Sequence, residues 1–177
     1  MKIFGLVGWS GSGKTTLVAK LLPELIGRGY TVSTMKHTHH NFDIDKKGKD
    51  TFEHRTAGAT EVLITGTRRW ALLHENRDTP EPPIEDLLDR MEDVDLVLIE
   101  GFKSHAHQKM EVFRPGVGKP LLAADDPTII AVASDAGDLP ELAGKDVALI
   151  DLDNVNAVAD FIVGHTGLEA EAQDGAA

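Results

Sequence analysis

The sequence predicts an α/β domain with a mainly parallel β-sheet flanked by helices, and three observations predict it. The apolar run Lys2–Val7 enters a glycine-rich loop at Gly8, leaves it at Lys14 in a segment of helical spacing, and reaches a second β-rich run at Tyr30–Met35. That is a strand–loop–helix–strand unit, the start of a βαβ crossover. Continuous apolar runs recur at Asp95–Ile99 and Thr128–Ala133, the pattern of strands buried on both faces. Helical segments alternate with these runs, as a parallel sheet requires.

The elements follow in order. Lys14–Ile26 places Leu17, Leu21, Leu22 and Leu25 on one side, and Gly27 and Gly29 end the helix. Lys36–Lys49 is polar and histidine-rich and reads as an ordered surface loop with a task. Asp50–Ala57 is a short helix candidate. Thr60–Ile64 and Trp70–His74 read as strands joined by the turn Thr65–Arg69 and suggest a small antiparallel extension. Asn76–Pro83 is a proline-rich connector, and Ile84–Met91 an amphipathic helix. Lys109–Phe113 is a shorter strand, Val147–Ile150 the last strand and Val155–Val163 the last helix. The expected organisation is one nucleotide-binding domain over residues 1–164, then an acidic tail over 165–177.

Composition narrows the function. The 177 residues suit one domain, and 18 Lys+Arg against 29 Asp+Glu give a net charge of −11. That balance argues against sequence-independent duplex nucleic-acid binding, which needs a basic surface. The absence of cysteine rules out disulfides, thiolate zinc sites and cysteine nucleophiles. No apolar run approaches the ~18 residues of a membrane span, and Met1–Val7 runs straight into the glycine-rich loop, unlike a signal peptide. A soluble cytoplasmic protein is expected.

Gly8-Trp9-Ser10-Gly11-Ser12-Gly13-Lys14-Thr15 fits G-x-x-x-x-G-K-[ST] without mismatch, in the strand-to-helix context that gives this motif meaning. Its glycines let backbone amides cradle phosphate oxygens, and the helix that follows adds its positive end. Lys14 is expected to reach the β- and γ-phosphates, Thr15 a Mg²⁺ ion, and Thr16 the α-phosphate, with Gly11, Ser12 and Gly13 as backbone donors. A P-loop protein also needs an acid at the end of a neighbouring strand. Asp95 opens the DLVLI strand at the wrong end. Glu100 closes it on the ligand side, and Gly101 allows close backbone approach to phosphate.

Lys36-His37-Thr38-His39-His40, followed by Asp43, Asp45 and Lys46, is expected to be a switch or anion-binding loop near the γ-phosphate, with Asp43 helping to hold the metal. A transition-metal site of His37, His39, His40 and Asp43 is the rival reading, although alternate residues of an extended segment face opposite ways. A merely solvated histidine-rich loop is the third. Arg55 reads as a helix-surface charge, Trp9 and Trp70 as packing residues, and Lys103 as a phosphate or partner contact. The sequence holds no Asn-Lys-x-Asp or Thr-Lys-x-Asp, yet the strand TIIAVA ends in Ser134-Asp135. Asp135 either reads a guanine edge or forms a turn before Gly137, which leaves GTP and ATP both open.

Taken together, GWSGSGKTTL, KHTHH with DIDKKGKDT, RTAGA, RRWALLHE, LVLIEGFK and IIAVASD resemble the molybdopterin-guanine dinucleotide biosynthesis adaptor protein family (MobB), from Lys2 to about Gly164. The resemblance implies a P-loop NTPase sheet with a small added β region, a homodimer, and weak hydrolysis of GTP bound with Mg²⁺. It implies work alongside the molybdenum cofactor guanylyltransferase and contact with the molybdate-inserting enzyme. Carried to this chain, phosphate binding falls on Gly11, Gly13, Lys14, Thr15 and Thr16, with Lys36–His40 and Glu100-Gly101 lining the same site. Two other readings compete: an ATP-dependent small-molecule kinase with Ile84–Met91 as its lid, and a nucleotide-sensing dimer in which hydrolysis is incidental.

Overall fold

The computed structural model describes residues 1–38 and 42–169. The chain divides into two compact units, Met1–His37 with the chain from Asp93 onward, and Thr38–Glu92. The first unit is a six-stranded sheet with every neighbouring pair parallel, in the order β2-β5-β1-β6-β7-β8. Its strands are β1 (Lys2–Val7), β2 (Val32–Lys36), β5 (Leu96–Glu100), β6 (Lys109–Phe113), β7 (Ile129–Ser134) and β8 (Ala148–Asp151). Helices α1 (Lys14–Gly27) and α4 (Val155–Thr166) pack on it. Helix α4 runs through Gly164 and stops at Gly167, which has the positive φ of 62° that glycine accepts without strain.

Phe4, Leu6, Leu96, Leu98, Met110, Val112 and Ala131 meet Leu17, Leu21 and Leu25 of α1 and Val158 and Ile162 of α4 in one core. Leu17, Leu21 and Leu25 recur every fourth residue, so one stripe of α1 is buried. A second cluster holds Val7, Phe113, Ile129 and Val132 against Leu121, Leu139 and Leu142, which sit in or beside short 3-10 turns at Leu122–Ala124 and Pro140–Leu142.

Five strands run past the end that apolar patterning predicts. β2 ends at Lys36, β5 at Glu100, β7 at Ser134 and β8 at Asp151, while β3 (Glu61–Thr65) ends at Thr65. Each of these residues is polar yet paired in a ladder, as in Lys36↔Glu100 and Ser134↔Asp151. Periodicity counts apolar side chains and so misses a backbone that stays in register where the side chain turns polar.

β5 and β6 flank β1 on opposite sides, and eight residues, 101–108, join them. A parallel crossover usually takes a dozen or more. The stagger makes the short path possible: Glu100 lies opposite Leu6 at the end of β5, and Lys109 starts β6 opposite Gly5. The connection passes over β1 at Gly5, where an added Cβ would lie 2.4 Å from His107 Nε2 and 2.7 Å from Lys109 Cβ. Lys109 is fully buried, and its ammonium donates to the carbonyls of Lys103 (3.1 Å) and His105 (2.5 Å) and to Thr128 Oγ1 (2.7 Å). Asp126 stands 3.6 Å away and opposes the lowering of the Lys109 pKa that burial causes.

The second unit contains α2 (Asp50–Thr56), the strands β3 (Glu61–Thr65) and β4 (Trp70–His74), and α3 (Ile84–Leu88). β3 and β4 form a separate antiparallel ribbon in the register Glu61↔His74 to Thr65↔Trp70, the small antiparallel element expected from the sequence. Leu63 faces Leu72 across the ribbon, and both are exposed along with Trp70.

Two outcomes follow. Gly5→Ala drives a Cβ into the crossover and is expected to cost about 3 kcal/mol, since an overpacked core cannot relax around backbone-proximal atoms. Urea unfolding measures it, and adding His107→Ala recovers part of the loss. The second concerns the His107 imidazole, whose Nε2 is buried with no hydrogen-bond partner among the described residues. Burial first, then the Lys109 and His105 charges, push it from 6.5 to about 4. The unfolded chain takes up a proton near pH 6.5 that the fold refuses until about pH 4, so stability falls as pH drops through that window. Between pH 7.5 and 5 this group removes about 2 kcal/mol, seen as a shallower pH dependence in His107→Gln than in the unchanged protein.

Candidate functional site

The loop leaves β1 at Gly8, where φ is 142° and an added Cβ would come within 2.4 Å of the Val112 carbonyl and 2.8 Å of Ser12 Oγ. Only glycine fits there. Gly13, also left-handed, precedes α1, which begins with no side-chain cap and no acid in its first turn. Its leading amides therefore keep their hydrogen-bonding capacity and partial positive charge for an anion. Ser12 is buried, with its hydroxyl unpartnered among the described residues.

Lys14 folds back over the loop. Its ammonium donates to the carbonyls of Gly8 (3.0 Å) and Trp9 (2.9 Å). Burial lowers the Lys14 pKa and the Glu100 carboxylate opposes this, while Lys103 and Lys36 add to the lowering. Thr15 Oγ1 donates to Glu100 at 3.2 Å, and Lys36 Nζ stands 3.3 Å from the same carboxylate. The end of β5 thus brings together Lys14, Thr15, Lys36 and Glu100, four residues singled out in the sequence. Gly101 lies against the His37 backbone, and the ring of Phe102, a non-glycine residue at φ 49°, stacks on His37 with centroids 4.4 Å apart. Thr16 is exposed on the first turn of α1.

The remaining candidates are placed differently. His39 and His40 lie outside the described residues, and so does any metal site that includes them. Among the described residues no cluster of three or more His, Asp or Glu is arranged to hold a metal ion. Asp43 lies in the second unit, where Arg55 Nη2 donates to both of its oxygens (2.9 and 2.8 Å) and holds its carboxyl below the usual range, with the Asp45 amide adding to the effect. Arg55 also pairs with Glu75 at 3.2 Å and stands 3.7 Å from Asp45. It is thus the hub of an ion-pair cluster and no simple surface charge. Asp95 sits at the entry end of β5, and its carboxylate accepts from the backbone amide and the hydroxyl of Thr31, both at 2.7 Å.

Ser134 and Asp135 stand at the end of β7. Ser134 is buried, its hydroxyl accepting from the Ala136 amide, and Asp135 pairs with Arg114 at 2.5 Å. Sequence reasoning missed Arg114. The available signal is its position, directly after a strand on the side where an α/β sheet holds its ligands. It also missed Glu111, a fully buried carboxylate that accepts from the amides of Leu122 (3.1 Å) and Ala123 (2.8 Å) and whose pKa burial pushes up. Those bonds fix the turn beside Trp9, whose indole donates to Pro120 O at 2.8 Å and lies under the Lys103 ammonium.

A parallel strand leading through a glycine-rich loop to an uncapped helix, with an acid closing the next strand and bonded to the loop threonine, defines a P-loop NTPase-like fold. The comparisons with known proteins narrow this. The family model for molybdopterin guanine dinucleotide synthesis protein B matches residues 3–135, and the chain belongs to that family. It is 43% identical over 164 residues to the molybdopterin-guanine dinucleotide biosynthesis adapter protein of Escherichia coli K12, with 91% of each chain covered. It is 40% identical to the Haemophilus influenzae protein of the same name, over 90% of this chain and 86% of that one. Among solved structures, a molybdopterin-guanine biosynthesis protein B superposes with TM-score 0.72 at 25% identity, covering 92% of this chain and 99% of the other. The Bacillus subtilis MobB structure gives 0.73 at 20% identity, covering 96% and 100%, and supports the fold alone.

Proposed function

We propose that this chain is an adapter in molybdopterin guanine dinucleotide biosynthesis that binds GTP with Mg²⁺ in its P-loop and hydrolyses it slowly. Family membership supports the process, and one observation carries the binding reading. The Gly8–Thr15 loop presents a buried hydroxyl, a lysine held on two backbone carbonyls and an uncapped helix end. Each is a donor suited to phosphate. The Thr15 hydroxyl beside the Glu100 carboxylate is a hard-oxygen pair of the kind magnesium takes.

The chain's own residues set the chemistry. Amides from Gly11 to Lys14 receive the β- and γ-phosphates, and Lys14 exchanges its two carbonyls for phosphate oxygens. Thr15 and Glu100 would hold magnesium, which would supply positive charge against the charge of the phosphates. Glu100 orients a water through its free lone pairs, and Lys36 keeps that carboxylate in place. The cations gathered around Lys14 and Glu100 are lysines, Lys36 and Lys103, and no guanidinium is paired with Glu100 among the described residues. A Glu100 carboxylate whose cationic neighbour is a lysine fits slow turnover.

As an adapter the chain would act on the molybdenum cofactor guanylyltransferase, with the molybdate-inserting enzyme as a further partner, in the cytoplasm. Homodimerisation belongs to the same reading, and the exposed Leu63, Leu72 and Trp70 of the ribbon support it as an apolar surface in need of cover. The kinase reading loses its lid: α3 spans five residues, Ile84–Leu88, with two acids and no base.

Calorimetric titration tests the nucleotide. Mg-GTP is expected to bind more tightly than Mg-ATP, and Lys14→Ala to weaken it at least about a hundredfold, the weight of a lost charged phosphate contact. ATP preference returns the kinase reading, and an unaffected variant refutes the site. Adding the protein to purified guanylyltransferase tests the adapter role. A guanylation rate, yield and GTP requirement that all stay unchanged rule it out.

A further inference from the structure

We propose that Arg114 sets base specificity by positioning Asp135 at the nucleoside end of the P-loop, an inference that rests on the GTP-binding reading above. β1 carries the loop between two neighbours. On the β5 side stand Glu100, Thr15 and Lys36, which fix where metal and terminal phosphate belong. The nucleoside therefore leaves the loop on the other side, over the ends of β6 and β7. Arg114 follows β6 and Asp135 follows β7, and beyond a shift after Lys109 the two strands pair continuously from Met110↔Ala131 to Phe113↔Ser134.

Arg114 spans the gap between the phosphate loop and the end of β7. Its Nε lies 3.6 Å from where a Cβ would project from Gly13, so the guanidinium stem rests on the last loop glycine. Its Nη1 donates to Asp135 Oδ2 at 2.5 Å. Arg114, Gly13, Thr16, Lys20 and Asp153 line one small cleft on this side. Both partners are only about one-third exposed, at 35% and 37%, so the pair is neither freely solvated nor sealed.

The chemistry matches a guanine edge, which offers two parallel donors, N1–H and the N2 amino group. A carboxylate held through Oδ2 still presents Oδ1 and its remaining lone pairs to them. A guanidinium is planar and holds one direction, so Asp135 enters the site with its rotamer already chosen, and binding need not supply that ordering. Ser134 fixes the backbone of the same residue by accepting from the Ala136 amide at 3.1 Å. Arg114 is thus a positioning residue that acts through Asp135.

The test uses the full chain and calorimetric affinities for Mg-GTP and Mg-XTP, the triphosphate whose base replaces the N2 amino donor by a carbonyl acceptor. Asp135→Asn is expected to shift preference from GTP toward XTP. Arg114→Ala is expected to lower the GTP-to-XTP affinity ratio at least about tenfold, the scale of one charge-assisted hydrogen bond. Arg114→Lys, which keeps a cation near the carboxylate, recovers part of the ratio and serves if the alanine variant fails to fold. A shift in Asp135→Asn with an unchanged ratio in both Arg114 variants overturns the role of Arg114 and leaves the GTP reading intact. Equal loss of both nucleotides in Arg114→Ala overturns it also, by making Arg114 a phosphate contact. No shift in Asp135→Asn removes the base contact and the proposal together. A wild-type chain that binds neither nucleotide is the failure of the functional reading itself.

Discussion

The chain has eight residues in which to leave the end of β5, cross β1 and begin β6. That crossing determines the geometry around the phosphate loop. It is feasible because β6 starts half a strand late and because Gly5 has no side chain in its path. The crossing hands Glu100 to Thr15 and Lys103 to the Trp9 ring, while the buried Lys109 ammonium gathers the carbonyls of the crossing segment. A buried lysine is costly unless every proton finds an acceptor, and here three oxygens within 3.1 Å and a nearby carboxylate supply them.

The proposed nucleotide would set a highly charged anion on an acidic protein, a tension that the site would resolve locally. The net charge of −11 repels a nucleotide at long range, but beyond a Debye length of ~8 Å that repulsion is largely screened. Within that distance Lys14, Lys36 and Lys103 act on one another strongly enough to lower the Lys14 pKa alongside burial. Lys14 is held in waiting by two backbone carbonyls that a phosphate can replace. On the proposed reading, binding would exchange hydrogen bonds, and the loop would need little reordering to receive its ligand.

Much of this was legible in sequence because the motif residues act through backbone geometry that residue type dictates. Glycine at 8 and 13, lysine at 14 and an acid at a strand end have few alternative uses in that order. The strand β6 was legible as a strand and misleading as an environment. KMEVF alternates charged and apolar residues like a half-exposed strand, yet all five positions are buried. The side chains that permit this, Thr128 for Lys109, and the amides of Leu122 and Ala123 that serve Glu111, come from segments more than ten residues away. No local pattern encodes such pairings. The partners of Arg55 were hidden for the same reason, since Asp43 and Glu75 lie 12 and 20 residues from it. Asp135 was visible as a strand-end acid, and its link to the phosphate loop through Arg114 appears only when β6 and β7 lie side by side.

The proposed seat of a guanine nucleotide is the Gly8–Thr15 loop. Its most direct test is a crystal structure of the full chain grown with Mg²⁺ and a non-hydrolysable GTP analogue. The phosphates are expected to be enclosed by the loop amides, with Lys14 moved from the Gly8 and Trp9 carbonyls onto the phosphate chain, the cation beside Thr15 and Glu100, and the base toward Asp135. A nucleotide seated elsewhere, or a loop whose Lys14 keeps both carbonyls beside bound nucleotide, would contradict it.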